Sequence, residues 1–247
     1  LIRYGDIALP LSCEAVTKDI TFSNIATKKV KRKASTSKNE MFQSIISQAV
    51  TNEVKFEYVL ADNWFGAKKN MEFIKHDMKK KFIIGVKTNR LVACPEEEKK
   101  GQYQNLSTLN LKDGEKRIVR LKDLSFPVTL IVKIFKNEDN STGTLYLVTN
   151  DLESSADRIY EVYQKRWQVE VYHKSIKQNA SLEKSPTKVT RSQKNHIFAS
   201  IVAYCKLEFL KQKTSLNHFA LKYKLLIKAN QTAFQELQKL RGEPMTA

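Results

Sequence analysis

One short stretch of the sequence places a carboxylate, three cations and a phenol at helical spacing. Residues 159–178 read IYEVYQKRWQVEVYHKSIKQ, and at about 100° per residue five side chains fall on one arc of about 80°: Tyr163, Arg166, Glu170, Lys174 and Lys177. A carboxylate can hold a divalent cation, Arg and Lys bind phosphates, and Tyr can donate to a phosphate oxygen or stack on a base. The spacing therefore predicts a face that binds metal and phosphate. Because Glu170 and Lys174 are four residues apart, an ordinary ion pair on a solvated helix remains an open interpretation.

The stretch that carries these side chains has the pattern of a helix. It contains no Gly or Pro and is rich in residues that helices tolerate well. Side chains suited to a helix N-cap stand just upstream: Asp151, Ser154 and Ser155. Apolar residues recur every seven positions in one narrow stripe: Val162, Val169 and Ile176. We therefore predict one continuous helix, with this stripe facing the core and the polar arc beside it.

A second carboxylate lies where a buried strand is expected to end. The run KFEYVLADNWF has the pattern of a short strand ending at Asp62, and a helix is expected from about Gly66. Open α/β sheets place their chemistry at the carboxyl edge of a strand, just before such a turn. Asp also commonly caps turns, so a purely structural role for Asp62 stays open. Trp64 and Phe65, which follow, are interpreted as core anchors or as DNA contacts.

The spacing Tyr163-x2-Arg166-x3-Glu170-x6-Lys177 resembles the Tyr-Arg-Glu-Lys signature of a group of bacterial insertion-sequence transposases. These belong to the DDE class, named for two Asp and one Glu that bind catalytic metal. Asp62-Asn63-Trp64-Phe65 looks like the region of the second catalytic Asp in that class. The resemblance covers residues 1 to about 213. It implies an α/β fold with a ribonuclease-H-like core, interrupted by a small antiparallel β insertion and followed by C-terminal helices.

The resemblance also implies a mechanism and partners. Asp62 and Glu170 would be catalytic residues and metal ligands, sharing two Mg²⁺ ions for in-line attack on a phosphodiester. DNA-binding roles fall to the remaining members of the arc: Tyr163, Arg166, Lys174 and Lys177. The expected substrate is double-stranded DNA, at transposon ends and at the target, bound by a homodimer.

The sequence departs from this family pattern at the first catalytic Asp. In the family that residue lies on the first core strand, ahead of the two strands that open this chain. Asp6, in a hairpin turn, and Asp19, beside a loop, are poor substitutes. The departure favours an N-terminally truncated transposase that has lost the first core strand and its Asp, so the resemblance names the family function without establishing activity of this chain. Three alternatives stay open: a non-catalytic DNA-binding remnant, a ribonuclease-H-like nuclease and a general basic nucleic-acid binder.

Composition and charge agree with a nucleic-acid partner. The 247 residues are 41% hydrophobic, enough for a sizeable core, and carry a formal net charge of +17. Such an excess of Lys and Arg favours a polyanion, with nucleic acid before an acidic membrane surface. The three cysteines, Cys13, Cys94 and Cys205, are far apart and form no CxxC pair, which argues against a disulfide framework or structural zinc site. No apolar run reaches membrane-spanning length. The resemblance to insertion-sequence transposases implies a bacterial cytoplasmic protein associated with the nucleoid.

The chain divides into four expected regions. Residues 1–95 form the first part of the core, 96–150 the β-rich insertion, 151–213 the second part of the core, and 214–247 a C-terminal helical tail. Within them we predict a hairpin over residues 1–17, a basic surface loop over 18–39 and a helix from Asn39. Residue 214 onwards should form two short amphipathic helices that end in a disordered EPMTA terminus.

Overall fold

The computed structural model describes residues 1–241, except for the side chains of residues 24, 96 and 99. The strands of this described part, in chain order, are β1 (Ile2–Tyr4), β2 (Ile7–Leu9), β3 (Ile20–Asn24), β4 (Lys29–Lys33), β5 (Tyr58–Ala61), β6 (Lys81–Val86), β7 (Leu91–Ala93), β8 (Gln104–Asn105), β9 (Lys116–Leu121), β10 (Val128–Lys136) and β11 (Thr142–Thr149). The α-helices are α1 (Lys38–Thr51), α2 (Lys68–Glu72), α3 (Pro95–Lys99), α4 (Ala156–Gln164), α5 (Gln168–Asn179), α6 (Thr190–Thr214) and α7 (His218–Arg241). The chain is thus a mixed α/β protein, and the EPMTA terminus lies outside the described residues.

The described residues divide into two compact units. Unit 1 consists of the first fifteen residues together with everything from Trp167 onwards, and unit 2 runs from Val16 to Arg166. No helix in the described part of the chain is both long enough and apolar enough to cross a membrane. Each unit has a hydrophobic core of its own.

Unit 2 is built on a seven-stranded sheet. The spatial order is β5-β6-β11-β10-β9-β7-β8. Strands β5 and β6 are parallel, and every other neighbouring pair is antiparallel. Fully buried apolar side chains fill the middle strands because a strand covered on both faces has no polar face, as in the run from Val128 to Val132. One face carries α4, whose Ile159, Val162 and Tyr163 pack on the sheet.

The stretch 96–150 is antiparallel, as predicted, but it does not form a sheet of its own. Strand β11 pairs with β6 from Tyr146↔Val86 to Thr149↔Ile83, so the sheet runs without a break from β5 into this region. Because β6 and β11 are about sixty residues apart, their pairing is a tertiary contact. Local sequence patterns therefore do not predict it. Whether the stretch is an inserted domain remains a prediction.

Three predictions for single elements were wrong. Residues 18–39 do not form a loop, because β3 and β4 pair as an antiparallel ribbon from Ile20↔Lys33 to Asn24↔Lys29. The run KKKFIIGVKTNRLVAC, residues 79–94, has the pattern of one strand but contains two, β6 and β7, separated by a turn. The segment after residue 214 forms the single helix α7 rather than two short ones, since no Gly or Pro interrupts it.

A buried carboxylate joins three elements of unit 2 at the amino-terminal ends of β5 and β6. Asp151 is 3% exposed. It accepts hydrogen bonds from the Tyr58 hydroxyl on β5, from the Lys81 ammonium on β6 at 3.0 Å, and from the Ser154 hydroxyl at 2.8 Å. Ser155 then caps α4 by accepting from the Arg158 amide, as predicted. Asp151 therefore fixes the start of α4 against the sheet.

Unit 1 contains the β1–β2 hairpin and helices α5, α6 and α7. The Tyr204 hydroxyl on α6 donates to the Ala8 carbonyl of β2 at 3.1 Å and to the buried Glu208 at 3.0 Å. Ser175 of α5 and His218 of α7 share a hydrogen bond of 2.7 Å between Oγ and Nδ1. Burial lowers the pKa of His218 despite the nearby Glu208. This polar cluster attaches the hairpin and α7 to the two central helices.

Candidate functional site

Asp62 stands at the carboxyl end of β5, as the sequence predicted. Strand β5 ends at the buried Ala61, and Asp62 is half-buried directly after it. Its Oδ1 accepts from the Trp64 amide at 3.0 Å and caps a short 3-10 turn over Asn63–Phe65. The capping role that the sequence left open is therefore real. It uses one carboxylate oxygen, and within residues 1–241 Oδ2 has no hydrogen-bond partner.

A polar cleft opens beside Asp62 within unit 2. Its volume is about 640 Å³. The lining residues are Asp62, Asn63, Gly85, Val86, Lys87, Thr88, Asn89, Thr144, Leu145, Tyr146 and Tyr163. Sequence analysis had singled out only Asp62 and Tyr163 of these. Lys87 was missed because its position depends on the pairing of two strands: β6 is parallel to β5, so the residue after the end of β6 reaches the same sheet edge as Asp62.

Gly85 brings three groups of this cleft close together. A Cβ atom at Gly85 would lie 3.3 Å from the Tyr163 hydroxyl, 3.4 Å from the Asn63 amide nitrogen and 3.7 Å from the carbonyl carbon of Asp62. Gly66, across the turn, would place a Cβ 3.1 Å from the Gly85 carbonyl oxygen. The absence of both side chains lets the turn after Asp62 approach β6 and the Tyr163 hydroxyl.

Tyr163 is on α4 and is a core residue with a polar end. It is 5% exposed and packs with Ile83, Ile131 and Leu147. Burial raises the pKa of its hydroxyl, and the neighbouring Arg166 opposes that shift. The Arg166 guanidinium carbon lies 5.6 Å from the Tyr163 ring centroid. With the ring in the core, the hydroxyl is the part of Tyr163 suited to contacting a phosphate, rather than a ring face for stacking.

The predicted continuous helix over residues 159–178 is wrong. A 3-10 turn over Lys165–Trp167 separates α4 from α5. A 3-10 turn advances about 120° per residue rather than 100°, so the helical wheel drawn for an unbroken helix does not apply across this point. The two halves also bury different side chains in different cores: Ile159, Val162 and Tyr163 in unit 2, and Ile176 in unit 1. Apolar residues of the stripe that recurs every seven positions are therefore buried in two separate cores, Val162 in unit 2 and Ile176 in unit 1.

The other three residues of the predicted arc lie on α5, in unit 1. Glu170 is exposed in the first turn, where the helix dipole favours a carboxylate. Lys174 is exposed, with its ammonium 6.0 Å from the Phe219 ring centroid. The exposed Lys177 makes a surface salt bridge of 3.0 Å with Glu183, which a phosphate ligand would have to displace. The signature thus spans both units, with its first two residues in unit 2.

The aromatic pair after Asp62 has two different environments. Phe65 stacks on Phe42 of α1, with ring centroids 4.5 Å apart, and packs against the main core of unit 2. Trp64 is 74% exposed, and the Lys38 ammonium lies 5.2 Å from its ring centroid. Phe65 is therefore a core anchor, and Trp64 is an exposed aromatic side chain on the turn.

The two carboxylates considered as substitutes for the first catalytic Asp of the family pattern have other surroundings. Asp6 is a fully exposed turn residue 3.9 Å from Arg3. Asp19 accepts hydrogen bonds from the amide and hydroxyl of Ser35 and is not among the residues that line the cleft. In the described part of the chain, no three His, Cys, Asp or Glu side chains are grouped so as to hold a metal ion.

The donor chemistry at Asp62 nevertheless fits Mg²⁺. This ion prefers hard oxygen ligands and is commonly held by one or two carboxylates together with waters and substrate phosphates. Asp62 offers a half-buried carboxylate beside a polar cleft, and Glu170 offers an exposed one at a helix start. Each of these two carboxylates is of a ligand type that suits such an ion.

Comparison with known proteins identifies the family. The model of the transposase DDE domain matches residues 21–206, well over half of the chain. A probable transposase for insertion sequence element IS5377 from Geobacillus stearothermophilus is 32% identical over 83 residues. That alignment covers 34% of this chain and only 22% of the relative's own length. From the extent of the domain match, the chain belongs to the transposase DDE domain family.

Proposed function

We propose that this chain is part of an insertion-sequence transposase that cuts and joins DNA phosphodiesters at element ends. The observation that carries the proposal is the position of Asp62 at the carboxyl end of β5, in a polar cleft with Lys87 and the Tyr163 hydroxyl. The membership of the domain family supports the reaction class. The Tyr-Arg-Glu-Lys signature supports the finer assignment to the corresponding group of insertion sequences and to a ribonuclease-H-like core.

Under this proposal, Asp62 and Glu170 would be the residues that hold Mg²⁺. The bound metal would activate the attacking water or 3′-hydroxyl and stabilise the leaving oxygen. The hydrogen bond from the Trp64 amide to Oδ1 restrains the Asp62 carboxylate, so binding a ligand through Oδ2 would cost little further side-chain entropy. A second Mg²⁺ and a homodimer on paired DNA ends remain part of the proposal, on family resemblance alone.

Cations and one hydroxyl hold the DNA in this proposal. Arg166 suits bidentate contact with a phosphate, and Lys174 and Lys177 act as point charges. The Tyr163 hydroxyl donates to a phosphate oxygen at the cleft. Lys87, at the exposed end of β6, adds a cation beside Asp62 that the signature does not include.

A second candidate function is DNA binding without cleavage. It is favoured by the lack of a three-residue metal-binding group among residues 1–241. In that case the cations would still occupy element ends, and the carboxylates would serve only the local fold, as Asp62 does when it caps its turn. Both functions predict salt-sensitive DNA binding, and only the first predicts metal-dependent cutting.

The experiment compares Asp62→Asn and Glu170→Gln with the unchanged chain on duplexes that carry the ends of its own insertion element. Asn can still accept from the Trp64 amide, so Asp62→Asn removes the charge and keeps the cap. We expect Mg²⁺-dependent strand cutting to fall by more than about 100-fold in each variant, with DNA affinity kept within about twofold. Glu236→Gln, an exposed acid of unit 1 that pairs with Lys239, is the control and should cut normally.

If both variants cut as well as the unchanged chain, the metal assignment is wrong. If the unchanged chain binds the ends but never cuts them with Mg²⁺ or Mn²⁺, the DNA-binding alternative replaces the catalytic one.

A further inference from the structure

The ribbon formed by β3, β4 and the turn between them is a strongly basic surface feature of unit 2. We refer to residues 20–33 as the basic ribbon. Between Glu14 and Glu40 the chain has seven cations and a single acid, Asp19. The cations are Lys18, Lys28, Lys29, Lys31, Arg32, Lys33 and Lys38. Five of them belong to the basic ribbon, and all five are exposed.

The register of the basic ribbon sorts these cations onto two faces. Side chains alternate along a strand, so Lys29, Lys31 and Lys33 share one face, while Arg32 lies on the other with Val30. Successive lysines on the first face are about 6.8 Å apart along the strand. Phe22, opposite Lys31, lies on the same face, and its ring centroid is 5.5 Å from the Lys33 ammonium.

The one acid near the basic ribbon does not neutralise its cations. Asp19 accepts from the Ser35 amide at 2.7 Å and from the Ser35 hydroxyl at 2.6 Å, which closes the base of the ribbon. These hydrogen bonds lower the pKa of the Asp19 carboxyl. Over the described residues, none of the five cations of the basic ribbon forms a salt bridge. Their charge is therefore available to a partner.

We propose that the basic ribbon binds the phosphate backbone of a DNA duplex through Lys29, Lys31 and Lys33. A two-stranded ribbon is one of the elements that fit the major groove, which is about 12 Å wide. Lysine is depleted in protein–protein interfaces but common in phosphate contacts, which favours a nucleic acid over an acidic protein as partner. The inference rests on DNA being the partner in the proposed function but does not depend on cleavage.

The site is separate from the residues that carry the proposed chemistry. No residue of the basic ribbon lines the cleft at Asp62, and none belongs to the Tyr-Arg-Glu-Lys signature. Its role would be to fix the duplex on unit 2 without reading its sequence, since phosphate contacts set register and orientation only.

The test measures binding of the full chain to a labelled duplex, in EDTA, across a series of salt concentrations. EDTA prevents cleavage, so the readout is affinity alone. The ribbon variant is Lys29→Gln, Lys31→Gln and Lys33→Gln combined. The control removes three exposed lysines from elsewhere in unit 2: Lys55→Gln, Lys122→Gln and Lys136→Gln. A third protein carries Arg at the three ribbon positions and keeps the charge.

We expect the slope of log affinity against log salt to become shallower by about 2.7 in the ribbon variant, since each phosphate contact contributes about 0.9. Affinity at 0.1 M salt should fall at least about tenfold. The Arg variant should bind like the unchanged chain. The control variant should lose much less affinity for the duplex than the ribbon variant. Retained far-UV circular dichroism of the Gln variant, together with normal binding by the Arg variant, separates loss of charge from misfolding.

Equal losses in the ribbon and control variants would overturn the proposal, because binding would then follow net charge and not this surface. It would also be overturned if the ribbon variant lost affinity for polyglutamate while its duplex affinity stayed unchanged, which would assign the ribbon to an acidic protein. Failure of the unchanged chain to bind any duplex would contradict the proposed function as well. If the unchanged chain binds the duplex and the ribbon variant keeps the same salt slope, the ribbon proposal alone is contradicted.

Discussion

Gly85 controls how closely the Tyr163 hydroxyl approaches the turn after Asp62. A methyl group there would meet that hydroxyl at 3.3 Å, which is tighter than ordinary contact, and the Asn63 amide nitrogen at 3.4 Å, the lower limit of ordinary contact. Since Tyr163 is packed in the core, it has little room to move away. We expect Gly85→Ala to lower the free energy of unfolding by about 1–3 kcal/mol.

The Tyr163→Phe change provides the control for that prediction, because it removes only the oxygen that the new methyl would meet. The double variant, Gly85→Ala with Tyr163→Phe, should recover part of the free energy of unfolding that Gly85→Ala loses. The coupling energy should be at least about 0.5 kcal/mol. Urea unfolding of the four proteins measures it. Strictly additive losses would show that the clash is with the Asn63 backbone instead.

At the scale of single residues, the sequence predicted the position of Asp62 but not which residues lie beside it in the cleft. A strand pattern followed by Asp is local information, and β5 does end at Ala61. The contribution of Lys87 depends on β6 lying parallel to β5, which is a property of the sheet. The Tyr163 hydroxyl reaches the cleft only because α4 packs on that sheet. The convergence of Asp62 with Glu170 remains a prediction.

At the scale of elements, the start of α4 is held by the buried carboxylate of Asp151. The sequence had suggested this residue only as a candidate for the helix N-cap. Burial of Asp151 disfavours its charge, but hydrogen bonds from Tyr58, Lys81 and Ser154 outweigh this and hold the pKa of its carboxyl well below the ordinary value. Hydrogen bonding to Asp151 in turn raises the pKa of Lys81. We expect Asp151→Asn to cost about 2–3 kcal/mol at pH 7, less than a fully buried pair because Lys81 is partly exposed.

The stabilisation that Asp151 provides should change with pH in a defined direction. A carboxyl whose pKa is lowered by folding stabilises the protein above its unfolded pKa of about 3.9, and that stabilisation is lost as the pH falls further. The difference in Tm between the unchanged chain and Asp151→Asn should therefore be constant from pH 7 to about 5 and narrow below about 4. Thermal unfolding at pH 7, 5, 4 and 3 measures it, with the exposed Asp77→Asn as control. If the Tm difference at pH 3 equalled that at pH 7, the stabilising role of the Asp151 charge would be contradicted.

Elements with strong local signals were predicted well, and those held by tertiary contacts were not. The β1–β2 hairpin, α1 and the Ser155 cap were found from a tight turn, helical periodicity and a capping residue. The basic ribbon was missed because KVKRK has no apolar alternation, so only backbone pairing and the Asp19–Ser35 bonds hold it. The break at Lys165–Trp167 was missed because no Gly or Pro marks it.

For the molecule as a whole, the division into two units places the signature residues on two separate cores. The buried residues around Leu130 and Val148 belong to unit 2, and those around Ile176 and Tyr204 belong to unit 1. Because each core buries its own side chains, a cavity in one should weaken mainly the unit that contains it. The four regions expected from the sequence do not coincide with these units, since the hairpin at the chain start belongs with α6.

Hydrogen exchange tests that division with one cavity in each core. Leu130→Ala should lower protection of the β10 and β11 amides by about 2–5 kcal/mol and leave the α6 amides near Tyr204 almost unchanged. Tyr204→Ala should do the reverse, because it removes a fully buried ring and the hydroxyl that contacts Ala8 and Glu208. Exchange is measured in native buffer at one pH for the unchanged chain and both variants. If either variant lowers protection equally in both units, the chain unfolds as one cooperative body, and Asp62 and Glu170 would then share their stability as well as their proposed metal.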